Sequence, residues 1–152
     1  MIRRLPVLLL AAVACGGDRA PAPARPAESP PATPPTPRVT IVSPAPGDTT
    51  GPDVAVTLRA EGVTIGPASG TRDPGVAHHH LFLDRDPSAA GRAIPSEPGV
   101  VHLGKGDTTH AYAGLAPGAH RVIAVLAWGD HVPVEGAVRD TVDFVVRQSA
   151  GE

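Results

Sequence analysis

An all-β fold, a single immunoglobulin-like antiparallel β-sandwich behind a disordered N-terminal segment, is predicted by three observations. Short β-branched runs recur between turns rich in Gly, Pro and Asp from Arg38 to Arg147. Apolar residues alternate along several of them with the period of two that belongs to strands. No stretch carries the periodicity of an amphipathic helix, and about 110 residues suit one domain.

Residues 1–14 read as a signal peptide: Met1-Ile2-Arg3-Arg4 is basic, and Leu5 to Ala14 is almost wholly apolar and too short to span a bilayer. Ala12-Val13-Ala14-Cys15-Gly16-Gly17 resembles a bacterial lipoprotein processing box, with Ala12 where Leu is usual. The Ala-x-Ala end also permits ordinary cleavage after Ala14. Lipidation explains the only cysteine of an exported chain, which has no partner for a disulfide. Residues 15–37 then form the lipidated Cys15 and a Pro/Ala-rich linker. Asp18 to Pro37 has too little apolar surface to fold, and its 20 residues reach on the order of 60 Å as an extended polyproline spacer.

Within the domain, 38–147, Arg38 to Ser43 reads as a first strand, closed by Pro44-Ala45-Pro46-Gly47-Asp48. Val54, Val56 and Leu58 alternate with Ala55, Thr57 and Arg59 in a second. Gly66 to Gly75 is a turn-rich link into Ala77 to Asp84, and Asp86 to Pro98 is a polar loop. Val100 to Leu103 and Thr108 to Ala113 read as a hairpin around Gly104-Lys105-Gly106-Asp107. Val122 to Trp128 is apolar on both faces, hence central, and Val142, Phe144 and Val146 mark a closing strand before the tail 148–152. His120, in the turn before the central strand, stands where many such sandwiches carry a corner Tyr.

Three of the seven histidines fall together in Ala77-His78-His79-His80-Leu81-Phe82-Leu83-Asp84. On a strand, His78 and His80 share one face with Phe82 and Asp84, about 6.5 to 7 Å apart at their Cα atoms, and can converge on one ion. His79 goes with Leu81 and Leu83, as a packed or hydrogen-bonded residue or as a further ligand. Either face of this strand can be the buried one.

Four ordered motifs carry a family resemblance: His78 to Asp84, His102-Leu103-Gly104-Lys105-Gly106-Asp107-Thr108, Leu115-Ala116-Pro117-Gly118-Ala119-His120, and Gly129-Asp130-His131-Val132-Pro133. Together, over roughly Val54 to Phe144, the chain resembles a bacterial family known as domain of unknown function 4399. The resemblance brings no established activity. Phe82 and Ala127-Trp128 depart from the family pattern.

The motif histidines His78, His80, His102, His120 and His131 are the candidate metal ligands, because rigid strands fix the directions of imidazoles. Asp84 and Asp130 are candidate alternative ligands or acceptors for a ligand's second ring N–H. Met1 leaves with the signal peptide and a lipidated Cys15 offers no free thiol, so the donors would be nitrogen and oxygen, which suits Cu(II), Zn(II) or Ni(II) and argues against a soft Cu(I) carrier. The expected cofactor is copper or zinc, and the expected role is binding or delivery. His110 is placed facing solvent. For His120 the alternative is a corner residue that hydrogen-bonds back to the chain.

A second class of function keeps the cluster without metal: a structural or adhesive envelope module, or a pH-responsive surface for an acidic partner. No Gly-x-Ser-x-Gly elbow, phosphate-cradling loop or His-Glu-x-x-His helix is present, so enzyme chemistry is reduced to a redox reaction at histidine-bound copper. A net charge of −2 gives no basis for nucleic-acid binding. The expected setting is the cell envelope, facing the periplasm. The expected partners are the membrane, through the lipid on Cys15, and another envelope protein.

Overall fold

Alternating apolar residues build the strands Arg38–Ser43, Val54–Glu61 and Asp140–Val146. The computed structural model describes residues 35–148, so the signal peptide, Cys15, the linker up to residue 34 and most of the tail lie outside the described residues. Among the described residues there is no helix, and nine strands follow one another. They are β1 (Arg38–Ser43), β2 (Thr49–Thr50), β3 (Val54–Glu61), β4 (Thr64–Ile65), β5 (Val76–Leu83), β6 (Val100–Leu103), β7 (Thr109–Tyr112), β8 (Gly118–Trp128) and β9 (Asp140–Val146).

Two sheets result. The smaller has the order β1-β3-β7, and the larger runs β2-β9-β8-β5-β4 with β6 also paired to β5. Val39 and Ile41 of β1 and Val54, Val56 and Leu58 of β3 pack against Leu81, Val122, Ala124, Leu126, Val142, Phe144 and Val146 of the larger sheet. Each large side chain so buried contributes about 1.5–3 kcal/mol. The facing sheets make an immunoglobulin-like β-sandwich, and β8 lies centrally between β9 and β5.

The larger sheet is covered on its other face as well. Phe82 of β5 and Ile123, Val125 and Ala127 of β8 form a second apolar cluster with Ile94, a residue of the loop from Asp86 to Pro98. The loop is fastened at its base by Arg85, which donates to Glu97 at 2.5 Å and to the Pro98 carbonyl at 2.7 Å. Both faces of β5 are therefore buried, which resolves the ambiguity that its apolar run leaves in the sequence.

Two details differ from the sequence reading. β6 and β7 are not a hairpin: β6 pairs with β5, whereas β7 pairs with β3 in the opposite sheet. The Gly104–Thr108 connection thus crosses between sheets, and the Leu58 amide donates to the Thr108 carbonyl at 2.8 Å. Without β7 the smaller sheet would have two strands, too few for a stable sandwich layer. The two-residue strands β2 and β4 are the second difference, pairing in parallel with β9 and β5 and too short for any periodicity to reveal.

Candidate metal centre

His78 and His80 leave β5 on its outer face, as the strand period of two requires. His80 lies directly across from His102 of β6, and His78 lies across from Ala127 of β8, whose small side chain leaves space over the sheet. His102 alternates with the core residue Leu103, so it shares the outer face. Gly104 is part of the same arrangement. A Cβ there would fall well inside contact distance of the His102 ring, so glycine is what lets the imidazole lie where it does.

The fourth imidazole comes from the turn after β8. His131 donates its amide to the Trp128 carbonyl at 2.8 Å, and the Trp128 amide donates to the Val132 carbonyl at 2.9 Å, which closes a three-residue loop. The last position of such loops takes a left-handed backbone, and His131 has φ 66. Asp130 supports this turn. Its Oδ1 accepts from the Val132 amide at 3.1 Å, and its Oδ2 accepts from Arg72 at 3.0 and 3.1 Å.

Ring nitrogens of His78, His80, His102 and His131, one from each, all lie within 4.8 Å of one another. Nitrogens bound to one tetrahedral ion stand about 3.4 Å apart, so up to about 1.4 Å of closure is required. His78 and His80 are buried, His131 half-buried and His102 exposed, which gives the cluster a dry floor and a wet rim. The Nε2 atoms of His78 and His80 are 2.9 Å apart, a spacing at which one ring donates to the other or both lone pairs face a cation. The Nδ1 atoms of both rings are buried with no hydrogen-bond partner among the described residues. A set of four imidazoles converging on one point fits a divalent transition ion.

Electrostatics prepares the pair for the neutral state. Burial, followed by the neighbouring imidazoles, lowers the pKa of His78 to about 4 and that of His80 to about 3. His102 is also lowered, first by burial and then by His131. Neutral imidazoles are the form that binds metal.

The remaining predicted residues lie elsewhere. His120 is not in the cluster: its Nε2 donates to the Ala116 carbonyl at 2.8 Å and its Nδ1 to Asp84 at 2.7 Å, the corner role. Burial opposes protonation there, but the Ala116 carbonyl and the Asp84 carboxylate prevail and raise its pKa. Asp84, at φ 55, also accepts from the Arg121 amide at 2.8 Å, so it serves His120 and β8 and makes no bond to the cluster. Asp130 likewise serves the turn and Arg72. His79 points into the sandwich, where its Nδ1 donates to the Asp107 carbonyl at 3.1 Å and burial lowers its pKa. His110 is half-buried instead of solvent-facing, and its ring meets Tyr112 edge-on at 4.6 Å.

A second feature escapes the histidine pattern. His80, His102 and His131 form one wall of a cavity of about 300 Å³, and Ala93, Ile94, Pro95, Ser96 and Val100 form the rest. Ile94, the one large aliphatic residue in an otherwise polar loop, is the signal that the loop folds back onto the sheet. Its amide donates to the His131 carbonyl at 2.9 Å, joining loop and cluster.

Among solved structures, the fibronectin(III)-like modules of Clostridium thermocellum CbhA are similar at 13% identity and a TM-score of 0.47, over 77% of this chain and 50% of that one. An engineered protein solved at 1.98 Å is similar at 16% identity and a TM-score of 0.46, over 76% of this chain and 21% of that one. The chain thus spans half or less of the length of the structures it matches. No curated protein matches it. A family model does match, over residues 56–147, a span that holds all four cluster histidines, and by that match the chain belongs to the family described as Domain of unknown function (DUF4399).

Proposed function

We propose that this is an exported, lipid-anchored protein of the cell envelope whose β-sandwich binds one divalent transition metal ion, copper or zinc, in a binding or delivery role. His78, His80, His102 and His131 are the ligands in this reading. The observation that carries it is the convergence of four ring nitrogens within 4.8 Å from two strands and a turn far apart in sequence. Side chains that merely satisfy carbonyls at strand ends have no reason to meet at one point, as His79 and His120 illustrate by bonding to partners outside the cluster. Export and anchoring rest on the apolar leader and on Cys15 after Ala12-Val13-Ala14. The lipid and the linker would then hold the domain at a periplasmic membrane surface.

A metal-free reading draws on one observation. The 2.9 Å contact of His78 with His80 also suits a direct hydrogen bond between neutral rings, which would make the cluster a brace within an interaction module.

Metal analysis and calorimetric titration of the protein, purified without a histidine tag, separate the two readings. Stoichiometric Cu(II) or Zn(II) binding that His78→Ala/His80→Ala abolishes is expected. Background binding only, with the double variant merely less stable, would leave the brace.

A further inference from the structure

We propose that the cavity beside the cluster admits a small organic anion, of the short-chain carboxylate class, as an additional ligand to the bound ion. This inference rests on the metal-binding reading above. Charge is the first reason. Four neutral imidazoles leave the two positive charges of the ion uncompensated, and the sequence-adjacent carboxylates Asp84 and Asp130 are committed to His120, Arg121, Val132 and Arg72. A dipositive ion over a buried floor therefore attracts an anion from outside the chain.

Shape is the second reason. The cavity of about 300 Å³ is at the lower end of small-molecule sites and shares His80, His102 and His131 with the cluster. Its remaining wall is apolar apart from Ser96, and no Asp or Glu lines it to repel an anion. An apolar wall facing a cationic centre selects a ligand with a charged head and a short hydrocarbon body. The head would meet the ion beside the three histidines, and the body would lie against Ile94, Pro95 and Val100. The site would then be open to exchange with solutes, unlike a closed structural metal site.

Titration of the Cu(II)-loaded protein with butyrate, followed by the copper electron paramagnetic resonance and visible spectra, tests this directly. A saturable one-to-one change is expected. Ser96→Trp and Ala93→Trp, both exposed positions on the rim, are expected to weaken butyrate by at least about tenfold while copper stoichiometry is unchanged. Copper bound with silent spectra, or a butyrate response that neither tryptophan alters, would overturn the proposal and leave the metal site standing. Failure of the protein to bind copper or zinc at all would overturn both.

Discussion

His131 holds a left-handed backbone at φ 66, a conformation that an L residue other than Gly, Asn or Asp adopts at a penalty of about 1 kcal/mol. The turn would be easier to build with glycine in that place. Strain retained where the fourth imidazole is delivered is therefore a sign that the ring has a use. His131→Gly is expected to raise stability by up to about 1 kcal/mol in urea unfolding while metal affinity falls at least about tenfold. A variant that lost stability along with metal would show that the His131 ring braces the loop. Gly104 is the converse case, a residue whose lack of a side chain lets the neighbouring His102 ring occupy its place.

At the scale of the elements, β5 carries His78 and His80 on one face and core on the other, and the start of β8 is clasped to its end by the His120–Asp84 pair. That clasp is separate from the histidine cluster. His120→Ala is expected to destabilise the protein by about 1–2 kcal/mol, allowing for solvent around Asp84, and to leave metal stoichiometry intact in the same titration. Strand alternation was enough to pair His78 with His80 in the sequence, and the doubly apolar run was enough to make β8 central. His102 was a candidate ligand from its motif, but its place opposite His80 was not legible, because it depends on β6 joining β5 and not β7. For His120 the turn motif placed the ring at the corner, and only the structure shows which carbonyl and carboxylate it meets. The outer cover of the larger sheet rests on one aliphatic residue, Ile94, too little for periodicity to register.

Across the whole molecule, the histidines give stability two opposing dependences on pH. His78 and His80 titrate at about 4 and about 3 in the fold, against 6.5 when unfolded. Between those values the unfolded chain binds more protons, so stability present above pH 6.5 is lost as pH falls toward 3. His120, raised by Ala116 and Asp84, contributes fully below 6.5, and that contribution fades as pH rises through its folded pKa. Urea midpoints of the metal-free protein from about pH 4.5 to 8 are expected to peak near pH 6 to 7. His78→Ala/His80→Ala should flatten the acid limb and leave the alkaline one, and an unchanged acid limb would exclude the pair as its source. The hydrogen bond from the Ile94 amide to the His131 carbonyl makes one backbone proton a reporter for the whole site. An ion that immobilises His131 stops that bond from opening, and exchange of the Ile94 amide with deuterium slows even though Ile94 touches no metal.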